Sequence, residues 1–323
     1  MKIRILIPCF NEETILDQSY QHITDILDND SRKNNYEYNL LFINDGSSDR
    51  TIELIKKQAE KDKRVDYISL SKNFGKESAM FAGLTHSQTY DAVIIIDCDL
   101  QHPPELIPVM IEKFKQGTDQ VIAKRDRKGE KFIRKLYTKF YYKFINKLVD
   151  VPIIDGIGDF RLLSNRVVRS IAMINESQRF SKGIFSWVGY SQEIINYKNQ
   201  ERVGGTSKWS FFKLLDYGVD GIISFNNKPL RLLLYFGFLT CLFSIIYILY
   251  NFINILVNGI DLPGYFTTIF AVLFLGGVQL ISIGIIGEYV GRIYYEVKAR
   301  PHYLIEDTNV NSNKETKEGY NAK

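Results

Sequence analysis

Residues 232–260 of this 323-residue chain carry no charged side chain, and neither do residues 262–287. Read as helices, 232–257 spans roughly 39 Å and 265–287 roughly 35 Å, each long enough to cross a hydrocarbon core about 30 Å thick. The link over 258–264 is short and holds Pro263, so the pair reads as a helical hairpin. Lys228 and Arg231 precede it, Arg292, Lys298 and Arg300 follow it, and the link itself has neither Lys nor Arg. Basic residues stay on the cytosolic side of a membrane, so both ends of the hairpin, and both termini with them, are expected in the cytosol. The expected organisation is a soluble unit over 1–227, a two-helix transmembrane hairpin with its basic juxtamembrane segment over 228–300, and a polar, disordered tail over 301–323.

Composition narrows the soluble unit. A net charge of +4 is too small to suggest nucleic acid as a partner. Cys9, Cys98 and Cys241 are far apart and show no zinc spacing, which reads as free thiols in a reducing compartment. The apolar run over 3–8 is too short for a signal peptide and leads into Asn11, Glu12 and Glu13. The soluble unit is therefore expected to stay in the cytosol.

Strand and helix patterns alternate through the first half. Apolar runs at 3–8, 40–43, 65–70, 92–96 and 120–123 read as strands, with helices over about 12–27 and from Ile52 onward, the second capped by Ser48 or Asp49. Alternation of this kind implies an α/β fold with a mostly parallel sheet covered on both faces. Ligands of such sheets bind beyond the carboxyl ends of the strands. The polar clusters of the sequence fall there.

The most informative cluster follows Ile94-Ile95-Ile96. Asp97 and Asp99 stand at i, i+2, a spacing that puts both carboxylates on one side of an extended backbone. Two hard oxygen donors suit Mg²⁺ or Mn²⁺ shared with a diphosphate, and such an ion offsets charge on a leaving nucleotide diphosphate. An isolated Asp-x-Asp is a weak motif and is often a solvated loop; its place after a buried strand favours the metal reading. Two other strand ends fit a nucleotide: Pro8 to Glu12 offers an aromatic face and polar edges, and Asp45 a carboxylate for a base N–H. Turns after strands are commonly rich in such residues, so the weight rests on the three clusters together.

These segments, in order, resemble the motif series of glycosyltransferase family 2, which has a GT-A fold. The series comprises residues 8–13, 44–49, 70–76 and 97–105, then Gly158-Asp159-Phe160-Arg161-Leu162, Lys182-Gly183-Ile184-Phe185 and residues 202–209. Within that family the chain is similar to polyprenyl-phosphate glycosyltransferases, the group that includes dolichol-phosphate mannose synthases, and to the membrane-anchored bacterial type that transfers glucose to bactoprenol. The similarity runs over about residues 3–300. It implies a Rossmann-like GT-A domain in which Pro8, Phe10, Glu12 and Asp45 hold the nucleoside, while Asp97, Asp99 and Gln101 bind the metal and diphosphate. Asn44 stands where the family usually has Asp, and His102 is expected beside the site without ligating.

The acceptor side is basic. Between residues 124 and 147 there are ten Lys or Arg and two acids, with Lys131, Lys135, Lys139, Lys143 and Lys147 recurring every four residues. A basic amphipathic helix over about 130–148 can lie on an anionic membrane surface, and an amphipathic stretch over 209–226 reads as a second interfacial element. An ordinary packed surface helix is the competing reading of the first. The resemblance assigns Arg125, Arg134 and Arg202 to phosphate contacts, with Thr138 nearby, and guanidinium groups suit phosphate through paired donors. Residues 204–208 lack the Gly-Lys-Ser/Thr of a P-loop and read instead as a flexible loop closing Arg202 and Lys208 over the substrates.

The activity so implied is inverting transfer of a sugar from a nucleotide-sugar, UDP-glucose or UDP-N-acetylglucosamine by analogy, to undecaprenyl or another polyprenyl phosphate. The product would serve glycan modification of the cell envelope, at the plasma membrane. Asp99, Asp159 and Arg202 are the expected catalytic residues. Asp159 stands where relatives are proposed to have a base, but an acceptor phosphate with a second pKa near 6 is already ionised, so it serves equally as an organiser. The resemblance also implies a homo-oligomer, with a tetramer among the forms it suggests. A processive polysaccharide synthase would show a Gln-x-x-Arg-Trp acceptor motif and more spanning helices, and neither occurs. A non-catalytic membrane scaffold binding nucleotide-sugar is the other rival, disfavoured by the complete acid pair.

Overall fold

A computed structural model describes residues 1–126, 157–198, 228–259 and 264–310. Each of the apolar runs becomes a strand: β1 (Lys2–Cys9), β2 (Glu37–Asn44), β3 (Val65–Leu70), β4 (Ala92–Ile95) and β5 (Gln120–Asp126). β6 (Ile157–Ser164), β7 (Gln192–Lys198) and β8 (Ile305–Thr308) complete a sheet of order β7-β5-β6-β4-β1-β2-β3-β8. β1 pairs in parallel with β2 and β4, β2 with β3, and β5 with β7. β6 runs antiparallel between β4 and β5, and β8 antiparallel on the β3 edge. This is the mostly parallel α/β sheet of the GT-A type.

Alternation along the strands builds two apolar layers. Ile3, Ile5 and Ile7 of β1 face one side with Leu40 and Phe42 of β2. They pack under α1 (Leu16–Asn34), α2 (Thr51–Lys61) and α4 (Ile107–Lys115) through Ile23, Ile55 and Met110. Leu6, Leu41 and Ile43 face the other side, against α3 (Lys76–Thr85), α5 (Asn165–Met173) and α6 (Ser181–Trp187). Both faces are covered, which is why the central strands read as unbroken apolar runs rather than as alternating ones. Gly83 lets α3 lie on β1: a Cβ there would come within 2.3 Å of Leu6 Cδ1.

The helix expected over 12–27 begins later and runs longer, as α1. Residues 11–13 are tied to the β2–α2 turn instead. Asn11 adopts φ 56° and accepts from Ser48 N at 2.8 Å, while Glu12 N donates to Thr51 Oγ1 at 2.9 Å and Glu13 N to Asp49 Oδ2 at 3.2 Å. Asp49 also accepts from Thr51 N at 3.0 Å, so of the two capping candidates Asp49 holds the first turn of α2.

Two long apolar helices follow, α7 (Lys228–Asn258) and α8 (Tyr265–Lys298). Leu232, Phe238, Leu256 and Ile283 are exposed along them, an apolar surface of the kind lipid covers. α8 continues eleven residues past the expected limit of 287, because no proline falls between Glu288 and Lys298 and the single Gly291 is tolerated within the helix. It ends where Ala299 turns left-handed at φ 47°, two residues before Pro301. There the helix end touches the α/β unit: Ser177 N donates to Glu296 Oε2 at 2.9 Å.

The tail expected from residue 301 is corrected in its first part. Tyr303 is buried, its ring edge-on to Phe81 at 6.2 Å, and Ser71 N donates to Leu304 O at 2.9 Å as the chain turns into β8. β3 otherwise presents an open row of backbone donors and acceptors, which β8 satisfies. Its side chains are mostly exposed, so Ile305-Glu306-Asp307-Thr308 has the composition of a tail while its backbone is a strand. The two amphipathic segments expected at 130–148 and 209–226 lie outside the described residues.

Candidate active site

β1, β2 and β4 end side by side, and their carboxyl ends open into a cavity of about 340 Å³. Pro8, Phe10, Glu12, Asp45, Asp97 and Asp99 all line it. Every nucleoside and acidic residue expected from the first, second and fourth strand ends, Gln101 apart, therefore meets in one place. Phe10 is exposed at the rim, with a ring free to take a flat partner.

Asp45 is buried, and both its oxygens are engaged: Phe74 N donates to Oδ1 at 2.8 Å and Gly75 N to Oδ2 at 3.0 Å. It thus holds the loop before α3 in the cavity wall. Burial raises its pKa, against the two amides that pull it down. Gly46 next to it has φ 63°, and a Cβ there would meet Lys72 C at 2.2 Å and Asn73 N at 2.5 Å. Only glycine lets the two turns close on each other. Asn44 is also buried, donating through Nδ2 to Ser69 Oγ at 2.9 Å and accepting from Ser47 N at 3.2 Å.

The acidic end is organised around a lysine. Lys76, the first residue of α3, places Nζ 2.6 Å from Asp97 Oδ1, 2.8 Å from Asp97 Oδ2 and 2.7 Å from Asp159 Oδ2. Ile95 of β4 is in register with Arg161 of β6, so two residues further on 97 falls opposite 159. Like charges facing each other across strands repel; the ammonium between them makes the pair tenable. Burial alone would raise both carboxyls, but Lys76 brings Asp97 well below the ordinary carboxylate range, with help from His102, and lowers Asp159 as well. His102 Nε2 stands 3.5 Å from Asp97 Oδ2, and its Nδ1 is 2.8 Å from Tyr197 Oη. That is the neighbouring position expected of it.

Arg161 and Lys182 back this centre. Arg161 is buried against the Phe185 ring, 3.9 Å from its centroid, and donates to Gly158 O at 2.7 Å. Burial lowers it to about 10, and Asp159 and Glu77 counter that only in part. Lys182 is lowered too, by burial first, with Asp159 opposing. Glu77, beside Lys76, accepts from the backbone N–H of Ser181 at 3.1 Å and from its hydroxyl, which fixes α6 against α3.

Asp99 accepts from Gln101 N at 3.1 Å and from Gln101 Nε2 at 2.5 Å. Gln101 thus aims the carboxylate from behind rather than lining the cavity. Among the described residues no group of three His, Cys, Asp or Glu converges as a metal cage. The donor set is two carboxylates on the wall of an open cavity. It fits Mg²⁺ or Mn²⁺, which keep waters and take phosphate oxygens, and does not fit a closed four-ligand site.

Arg125 is exposed at the end of β5, opposite Tyr197 and outside the cavity wall. Arg134, Thr138, Arg202 and Lys208 lie outside the described residues. Cys9 and Cys98 are free and buried at the cavity floor, as read from their spacing. Nothing local in the sequence marks Lys76, Asn73, Gly75, Arg161 or Lys182 for a role of its own. A lysine opening a helix looks like any surface charge, and only the sheet brings Asp97 and Asp159 to it.

The sheet and the aromatic, acidic cavity over its strand ends are those of a GT-A fold, and sequence comparison places the chain within a glycosyltransferase class. Residues 4–172 match glycosyl transferase family 2, and the chain belongs to that family. Residues 228–293 match a second family, the GtrB C-terminal hairpin. CsbB of Bacillus subtilis (strain 168) is 54% identical over 308 residues, 95% of this chain and 92% of that one. The bactoprenol glucosyl transferase of Shigella phage SfX is 43% identical over 95% of this chain and 99% of its own. A prophage bactoprenol glucosyl transferase homolog of Escherichia coli K12 is 41% identical over the same shares.

Proposed function

We propose that this glycosyltransferase moves a sugar from a nucleotide-sugar to a polyprenyl phosphate, with inversion at the anomeric carbon, on the cytosolic face of the plasma membrane. The observation that carries the reading is the joint placement of Phe10, Asp45, Asp97 and Asp99 around one cavity on a chain that also carries two long apolar helices. Relatives named for bactoprenol as acceptor, covering nearly the whole chain, support it.

The nucleoside lies against Phe10 with Glu12 and Asp45 at its edges. Asp97 and Asp99, the latter aimed by Gln101, hold a divalent ion. When bound, that ion supplies positive charge to the leaving diphosphate. The lipid phosphate oxygen attacks the anomeric carbon as the bond to the diphosphate oxygen breaks, and the electron pair leaves with the nucleotide. Asp159, kept ionised and depressed by Lys76, is a weak base for this step. Its task is to hold the cationic groups in place, and an ionised phosphate nucleophile leaves positioning and charge as the main contributions. Arg125 and, from the segments outside the described residues, Arg134, Thr138, Arg202 and Lys208 serve the phosphates.

The test uses the full chain in detergent with undecaprenyl phosphate, Mg²⁺ or Mn²⁺, and a panel of labelled UDP- and GDP-sugars. Label should pass to lipid from one donor, and be lost on chelation and in Asp99→Ala. Absence of lipid-linked label from every donor, in protein that binds nucleotide, refutes the reading.

A further inference from the structure

We infer that Lys76 is a built-in cation that occupies the charge position between Asp97 and Asp159 until a nucleotide diphosphate arrives, so that divalent ion and donor bind as one unit. The inference rests on the proposed use of Asp97 and Asp99 as metal ligands.

Three contacts between 2.6 and 2.8 Å put the ammonium on both oxygens of Asp97 and on Asp159. A divalent ion on Asp97 must use oxygens that Lys76 now touches. Two cations a few ångströms apart on one carboxylate repel strongly in a cavity partly closed to water. The ion therefore meets a site already neutralised, and its affinity for the protein alone is low.

The lysine is placed to yield. It opens α3 directly after Gly75, whose φ of 92° sets the chain direction, and its side chain is 43% exposed toward the cavity. Four rotatable bonds let the ammonium leave Asp97 while Asp159, 16% exposed, stays as an anchor. A nucleotide diphosphate lying on Asp99 and Phe10 brings anionic oxygens into the same cavity. These offer Lys76 a new partner and the ion its remaining ligands. The diphosphate thus removes the obstacle to the metal and joins it in one event, and the negative charge of Asp97 is never left bare. Lys76 acts through Asp97 and is in this sense a positioning residue with a second, diphosphate-facing position.

The measurement is Mn²⁺ binding to full-length protein in detergent, by loss of the free Mn²⁺ paramagnetic resonance signal, with and without UDP. In the wild type, Mn²⁺ alone should bind weakly and UDP should tighten it by tenfold or more. Lys76→Met and Lys76→Gln should bind Mn²⁺ alone about tenfold tighter than wild type, as expected on removing a like charge at contact distance. In both variants the gain from UDP should shrink, and turnover should fall. Lys76→Arg keeps the charge and should keep weak Mn²⁺ binding in the absence of UDP.

Mn²⁺ binding to the neutral variants that is equal to or weaker than wild type, while wild type still gains from UDP, overturns the inference and leaves the metal assignment standing. Absence of Mn²⁺ binding in the wild type even with UDP overturns both. If neither neutral variant folds, judged by its melting transition, the wild type decides: Mn²⁺ bound as tightly without UDP as with it refutes the role given to Lys76.

Discussion

Replacing Asp45 with Asn tests how much of the site depends on a single buried carboxylate. The native side chain accepts two backbone donors, Phe74 N at 2.8 Å and Gly75 N at 3.0 Å. An Asn of the same shape keeps one oxygen and turns an NH₂ toward the other amide, so one hydrogen bond is lost and two donors confront each other. A hydrogen bond to a charged group contributes about 1.5–3 kcal/mol. Two effects reduce that figure. Burial of the ionised Asp45 is itself unfavourable, as its raised pKa indicates, and Phe74 and Gly75 are half-buried, so water reaches the freed amide. A net loss of about 1–2 kcal/mol follows. Since Asn73, Gly75 and Lys76 form part of the cavity wall, much of the loss should appear in the site. UDP affinity is expected to weaken by about tenfold, the equivalent of 1.4 kcal/mol. Isothermal titration with UDP, alongside a melting curve in detergent, measures both. An unchanged UDP Kd together with an unchanged melting temperature would refute the argument that Asp45 holds this loop. A weakened Kd with unchanged melting would instead mean that Asp45 acts through the nucleoside edge it faces rather than through its hold on this loop.

Gly46→Ala forces a Cβ against the Lys72 and Asn73 backbone at a left-handed φ, and should destabilise by about 2–5 kcal/mol, read as a lowered melting temperature. Tyr303→Ala removes a ring buried against Phe81 and His86 and should cost about 2–4 kcal/mol while leaving donor chemistry intact, measured by melting and by residual turnover in the cold. Asp159→Asn should retain substantial turnover at neutral pH; loss of several orders of magnitude in kcat with native folding would restore an obligatory base. The pH dependence has a definite sign. Asp97 and Asp159 are depressed in the folded chain, so the stability they gain with Lys76 is fully present above the ordinary 3.8 and is lost as the pH falls through their lower folded values. Acid unfolding followed by circular dichroism should show a loss of stability in that range that is smaller in Lys76→Met.

Much of the scaffold was legible because its signals are local. The five strands read from apolar runs are all present, since a strand buried on both faces must be apolar throughout. Asp97 and Asp99 could be paired from spacing alone, because an extended backbone fixes which side i and i+2 share. β6 stands out in the sequence for its Gly-Asp-Phe-Arg-Leu motif but not as a strand, and β8 has the composition of a tail. Neither carries a strong period: β6 begins with the half-buried Ile157, Gly158 and Asp159, and β8 is an exposed edge whose stability comes from the β3 backbone it pairs with.

The sequence by itself determined that an α/β unit precedes two apolar helices, and that acids stand at the ends of its strands. Charge, length and alternation are properties of neighbouring residues, and they need no fold to be read. Only the tertiary structure decided which distant side chains share a space. The register between β4 and β6 sets 97 opposite 159, the start of α3 delivers Lys76 between them, and the glycine at 46 lets the loop carrying that lysine come close enough. These partners are separated by 21 residues or more along the chain. Their electrostatic balance depends on distances of a few ångströms, which no local pattern encodes.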